Sequence, residues 1–229
     1  MKQYTIIILL LAFALLNNCS DEKSTEPEKK APQFPTPVTI TAPQSANTPA
    51  KIDSAINSFN GFMNLAQTYL LTISQLQPST AGNRYIWSLE FQATAIRIIA
   101  EPAANDNVKW QLYLTTPNED GTPGQEHKVL EGNTNADGSK QTWYFYDEQT
   151  NQVASEMNIE RSSDSVIITT KTSDSDLTQV ITSNNDGTGK FQEYSGDKLL
   201  YEAIWNADGS GTYKQWNEIG GLIEEGSWQ

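Results

Sequence analysis

Apolar positions along this chain follow four successive patterns. Residues 6–16 form an unbroken apolar run (IIILLLAFALL). Residues 20–48 carry only scattered apolar side chains among prolines and polar residues. Between Ile52 and Leu76 the apolar residues recur at spacings of three and four: Ile52, Ala55, Ile56, Phe59, Phe62, Met63, Ala66, Tyr69, Leu70, Ile73 and Leu76. From Arg84 onward the period switches to two. Spacings of three and four belong to a helix that buries one face, and alternation belongs to strands half buried in an antiparallel sheet.

The helical stretch predicts one long helix between Pro49 and Pro78, with Thr48 as N-cap and Pro49 in the first turn. Its apolar residues cover an arc of roughly 160°, wider than a coiled-coil seam. Phe59 and Phe62 lie in mid-stripe, and both are expected to be buried. Such a helix, about 40 Å long, calls for a concave apolar partner. Gly61 and Asn64 weaken an otherwise helical run.

Tyr85, Trp87, Leu89 and Phe91 alternate with Ile86, Ser88 and Glu90, and the pattern repeats at Val108–Leu114 and Leu199–Trp205. Asp-Gly pairs at 120–121, 137–138, 186–187 and 208–209 mark tight turns, because both residues tolerate positive φ. The chain is expected to form about eleven strands, roughly 84–91, 94–101, 108–115, 126–131, 139–146, 152–160, 165–171, 177–183, 189–195, 198–205 and 211–217, with a twelfth at 222–228. The predicted fold class is mainly β: a large antiparallel meander curved into a barrel or half-barrel, with one long N-terminal α-helix on its concave side.

A faint repeat runs through the strands. Asp186 and Asp208 lie 22 residues apart, and Asn135-Ala-Asp-Gly-Ser139 recurs as Asn206-Ala-Asp-Gly-Ser210. Gly209-Ser-Gly-Thr-Tyr-Lys-Gln-Trp216 resembles one unit of the Gly/Tyr-rich hairpin repeats called MORN repeats, over one or two units. Two strands and two tight turns give about this period without common origin. The expected architecture is similar to that of periplasmic lipoprotein carriers, in which an unclosed barrel is lidded by helices. That similarity implies an apolar ligand or a lipoprotein inside the curve.

The N-terminus adds an address. Lys2 precedes the eleven-residue apolar run, which suits a signal peptide and is too short to span a bilayer. Leu16-Asn17-Asn18-Cys19 follows and resembles the lipobox of bacterial lipoproteins, although Asn18 stands where a small residue is usual. The resemblance implies a diacylglyceryl group on the Cys19 thiol, further acylation of palmitate type, and cleavage before Cys19. Ser20 after the cysteine resembles an outer-membrane sorting signal, and Asp21-Glu22 resembles a surface-export signal. The expected organisation is a signal peptide over 1–18, a lipidated Cys19 on a disordered Pro-rich tether over 19–48, and a folded domain over 49–229. Five prolines, at 27, 32, 35, 37 and 43, are the ground for the tether.

Composition narrows the chemistry. The 229 residues contain one Cys and one His, which excludes an intrachain disulfide and a Cys-rich or multi-His metal centre. A formal charge of -13 argues against nucleic acid as a partner. Asn133-Thr-Asn-Ala-Asp137-Gly138 begins like a calcium loop, but Tyr144 stands where the bidentate Glu is needed. His127 beside Glu126 has no nucleophile elbow to serve. Glu218, Glu224 and Glu225 with Trp216 and Trp228 are the one hint of a glycan site. The six tryptophans, at 87, 110, 143, 205, 216 and 228, suit either a core or a cavity lining.

The expectation is an envelope-anchored, non-enzymatic binding or scaffold protein without cofactor, held to the membrane at Cys19. Its alternatives are a carrier or sensor of lipid, lipoprotein or another apolar ligand, and a glycan-acting hydrolase.

Overall fold

In the computed structural model, which describes residues 30–229, the alternating half of the chain forms a single sheet whose strand order is the chain order. The thirteen strands seen among the described residues are β1 (Ser79–Ala81), β2 (Arg84–Phe91), β3 (Thr94–Pro102), β4 (Val108–Pro117), β5 (Pro123–Thr134), β6 (Lys140–Tyr146), β7 (Val153–Arg161), β8 (Ser165–Thr172), β9 (Leu177–Asn184), β10 (Gly189–Ser195), β11 (Lys198–Trp205), β12 (Gly211–Trp216) and β13 (Leu222–Trp228). Each pairs antiparallel with the next, and β1 and β13 do not meet, so the sheet is an open, curved half-barrel. The strand absent from the sequence reading is β1, three exposed residues with no apolar alternation to betray them. Two register shifts, at Leu112/Tyr113 and Thr115/Pro117, bend the β4–β5 arm, where β5 starts three residues earlier than expected.

Four hairpin turns share one chemistry. In each, an Asp Oδ1 accepts the backbone N–H two residues on: Asp120 from Thr122 (3.0 Å), Asp137 from Ser139 (2.9 Å), Asp186 from Thr188 (3.0 Å) and Asp208 from Ser210 (2.9 Å). These bonds, with others from the same residues' hydroxyls, hold the four carboxyls below the usual Asp range. The glycine after each Asp has positive φ, between 70° and 87°. The calcium-like sequence at Asp137 is one of these turns, its carboxylate engaged by Ser139.

The faint repeat has a packing cause. Gly132 pairs with Trp143, Gly189 with Trp205, and Gly211 with Trp228 across neighbouring strands. Each indole lies over the glycine, so that a Cβ there would stand 2.1–2.2 Å from the ring. These three tryptophans are buried in one core with Trp87 and Trp110. Indole N–H groups are satisfied locally: Trp110 donates to Thr134 Oγ1 (3.0 Å), Trp143 to Gln141 Oε1 (3.0 Å), and Trp228 to the Gly209 carbonyl (2.7 Å).

Helix α1 (Ala50–Ser74) packs on the concave side, as its apolar arc requires. Ile52, Ile56, Phe59 and Ile73 are buried; Phe62, expected to match Phe59, is only half-buried. Thr48 does not cap the helix. Its hydroxyl donates back to the Ser45 carbonyl (2.9 Å), and the residue at the cap position is Pro49.

The folded unit begins well before residue 49. Residues Ala31–Gln229 form one compact unit, and 31–48 cross the concave face as an extended strap beside α1. Phe34 sits against Trp87 and Trp110, at ring-centre distances of 4.9 and 5.3 Å. Val38 and Ile40 are 3% and 2% exposed. Arg161 donates to the Pro37 carbonyl (3.4 Å), and Ser45 and Asn47 both donate to the backbone carbonyl of Gln229. A disordered tether through Thr48 is therefore corrected for residues 31–48. Proline forbids helix and ladder there, yet an extended chain still buries alternate side chains. The expected signal peptide, Cys19 and residues 20–29 lie outside the described residues. Among those described, no helix is long and apolar enough to cross a membrane.

Candidate binding trough

The strap fills only one side of α1. There Pro35, Pro37, Met63, Leu70, Leu130 and Trp143 close up until two residual spaces of about 30 and 20 Å³ remain. On the other side no described segment fills the gap. Ala55, Ser58, Phe59 and Phe62, one stripe of the helix, form a wall above Val129, Phe145, Met157, Thr170, Gln179 and Ile181 of the sheet. The trough between them is open along its length and measures about 390 Å³, within the range of small-molecule sites. Phe62 meets Phe145 edge-on at 4.2 Å, which explains its partial exposure: its ring separates the filled side from the open one.

Polarity changes along the trough. Toward β5–β7 the lining is Val129, Phe145 and Phe62 together with the hydroxyl-bearing Tyr146 and Ser155, and toward β8–β9 it is Thr170 and Gln179. Beyond Gln179 lies a buried polar group. Gln179 Nε2 donates to Glu193 Oε2 (3.0 Å), and Lys51 Nζ contacts Glu193 Oε1 (2.5 Å). Glu193 is 7% exposed, and its inward position in β10 follows from the alternation with Phe191. A carboxylate so buried requires its cation and its amide. Lys51 Nζ also stands 5.0 Å from the centre of the Tyr201 ring. The Tyr201 hydroxyl is buried without a partner among the described residues, and burial pushes it up to about 12. Periodicity could have flagged Glu193, Gln179 and Thr170 as polar residues at inward positions; no sequence signal marks the empty space beside them.

The residues singled out by sequence do not converge. His127 lies in a separate, polar surface groove of about 540 Å³. Its Nε2 is 3.8 Å from Glu148 Oε1, the oxygen that also accepts from the Thr116 hydroxyl (3.3 Å). Imidazole and hydroxyl meet on one carboxylate rather than on each other, and a nucleophile–base dyad needs the latter. Glu224 and Glu225 are neighbours in β13 and project to opposite faces. Glu224 accepts from the Tyr213 hydroxyl (2.6 Å), Glu225 pairs with Lys214 (3.7 Å), and Glu218 stands exposed in the preceding turn. Among the described residues no three His, Cys, Asp or Glu side chains are grouped to hold a metal ion. No protein-family model matches the chain, and no curated protein matches it.

Proposed function

We propose that this protein is a non-enzymatic binding module of the bacterial envelope, anchored through a lipidated Cys19 and taking its ligand in the trough beside α1. The observation that supports the binding reading is the asymmetry about the helix. One flank is packed shut by the strap, and the other is left open over about 390 Å³ of mostly apolar wall. Leaving apolar surface unfilled costs stability, so an open apolar trough in an otherwise dense core points to an occupant. The lipobox resemblance and the polar stretch after it support the envelope address, most consistent with the outer membrane. A carrier that loads and releases its ligand is the second reading, favoured by the trough being open along one side rather than enclosed.

Native mass spectrometry of the protein purified from its own cells tests the module. The wild type is expected to retain a bound species that Ser58→Trp, which fills the trough from the exposed side of α1, releases. Bare protein in both spectra overturns the reading.

A further inference from the structure

We infer that the trough takes an extended, uncharged segment of a partner polypeptide, laid along α1 on the flank opposite the strap. This rests on the binding-module reading and adds the class of ligand.

The protein supplies its own precedent. On the filled flank an extended chain already lies between α1 and the sheet, with Val38 and Ile40 buried and Thr39 and Thr41 exposed. Its backbone is met by side chains rather than by a strand. Asn60 engages both backbone groups of Ile40, and Arg161 donates to the Pro37 carbonyl. The open flank is bounded by the same two walls, a stripe of α1 and inward residues of the sheet.

The lining excludes a charged ligand. No Asp, Glu, Lys, Arg or His borders the trough, so an ion seated there would lack a counter-charge. The apolar side chains are interleaved with hydrogen-bonding ones instead of being set apart from them. Ser155 pairs with Phe145 across β6 and β7, and Thr170 stands in register between Met157 and Gln179. The hydroxyls of Ser58, Ser155 and Thr170 have no hydrogen-bond partner among the described residues. Gln179 donates its Nε2 to Glu193 and keeps its Oε1 free. A hydrocarbon chain would desolvate these groups without replacing their hydrogen bonds. A peptide brings an N–H and a carbonyl with every residue, and a hydroxyl serves either one. Its side chains have Phe59, Phe62, Phe145 and Ile181 to pack on.

Length favours a polymer over a compact molecule. Beyond Val129 the same face continues through His127, Leu114, Ile96 and Leu89, which pair in register from β5 back to β2. Each is only partly buried, and Phe91 at the far end is 70% exposed. From β2 to β9 this lane crosses strands spaced ~4.8 Å apart, about 34 Å in all. An extended peptide of about ten residues spans it. A neutral glycan of that length would press ring hydroxyls against Leu114, Ile96 and Leu89, which offer them nothing.

The test pans a phage-displayed library of random dodecapeptides on the full chain carrying Cys19→Ala, with the same chain carrying Ser58→Trp as counter-selection. The expected winners are peptides with alternating apolar residues and an uncharged centre. In calorimetry each should show one saturable site, weakened at least about tenfold by Ser58→Trp at an unchanged melting midpoint. Ser155→Ala and Thr170→Val together, which remove two hydroxyls and keep the apolar walls, should also weaken binding about tenfold. Failure to enrich peptides over the counter-selection, winners charged at their centre, or indifference to the loss of both hydroxyls each overturns the proposal. If no peptide is selected while protein from cells still carries an adduct that Ser58→Trp releases, the ligand class is wrong and the binding module stands; an adduct that hydrolyses to sugars would make it a glycan site. If the adduct is missing as well, both readings are wrong.

Discussion

Asn60 holds Ile40 by both of its backbone groups: its Oδ1 accepts the Ile40 N–H at 2.9 Å, and its Nδ2 donates to the Ile40 carbonyl at 2.7 Å. One helix side chain thus does for the strap what a neighbouring strand does in a ladder. Asn60→Ala strands a donor and an acceptor beside the buried Ile40 side chain, at about 1–3 kcal/mol each. The expected loss is about 2–4 kcal/mol in urea unfolding, and Asn60→Asp, which keeps the acceptor but not the donor, should lose about half of it. A loss below about 0.5 kcal/mol for the alanine variant would mean that the strap is held by packing alone.

Two glycines should respond with opposite signs. A Cβ at Gly189 would stand 2.1 Å from the Trp205 ring and 2.6 Å from the Thr182 carbonyl, so Gly189→Ala must displace the indole. Overpacking of this kind costs about 1–3 kcal/mol. At Gly61 a Cβ meets nothing within 4 Å, and the residue is mid-helix. Gly61→Ala should stabilise the protein by about 0.5–1 kcal/mol. Thermal melts of the pair check both signs.

Phe59 and Phe62 are neighbours on one stripe with unequal burial. Phe59 is 5% exposed, and Phe59→Ala should cost about 3–5 kcal/mol. Phe62 borders the open trough, so Phe62→Ala should cost roughly half as much. Equal destabilisation in chemical denaturation would show that the trough closes in solution.

Glu131 on the outer face ties stability to pH. Burial opposes its charge, but hydrogen bonds from Lys128 (2.9 Å) and Gln111 (3.2 Å) and the pairing with Lys109 (3.0 Å) outweigh burial and bring its pKa to about 2. A depressed carboxyl contributes stability that is fully present above its unfolded value, near 4.5, and lost as the pH falls through about 2. The contribution is on the order of 2 kcal/mol, after allowance for its partial exposure. Wild type should therefore exceed Glu131→Gln in stability at about pH 7, and the gap should narrow between about pH 4.5 and 2. Denaturant midpoints across that range measure it; a gap independent of pH would remove the carboxylate from the account.

Cys19→Ala should move the protein from the detergent phase to the aqueous phase of a phase-partition extraction. Each buried methylene of an acyl anchor contributes ~0.8 kcal/mol, and Cys19 is the single thiol of the chain. Equal partitioning of the variant and the wild type would dismiss the anchor.

Periodicity made most of this fold readable. Trp87, Leu112, Ile181 and Ala203 occupy inward positions because strand alternation put them there, and Ile52, Ile56 and Phe59 because the helical stripe did. The strap escaped notice because five prolines across residues 20–48 signal disorder more loudly than Val38, Ile40 and Ala42 signal an extended buried segment. Its hydrogen bonds go to Asn60 and Arg161, side chains of distant elements that no local pattern connects. The trough was unreadable for another reason. It is defined by the space that Phe62 and Phe145 leave between them and the polar end, and sequence patterns report residues rather than gaps.

The order of the strands bears on how the chain reaches this state. Every ladder joins consecutive strands, so each hairpin can close over a short loop, and the sheet can zip from any point like a repeat array. The strap is the opposite kind of element. Its bonds from Ser45 and Asn47 to Gln229 span 184 and 182 residues. The strap is made before the whole sheet and therefore waits longest for its partner, and α1 keeps an uncovered apolar stripe until the last hairpins are in place. Folding of this chain should show fast, local acquisition of strand structure followed by a slower step in which strap and helix lock together across the finished sheet, and it is that step which Asn60 and Gln229 would govern.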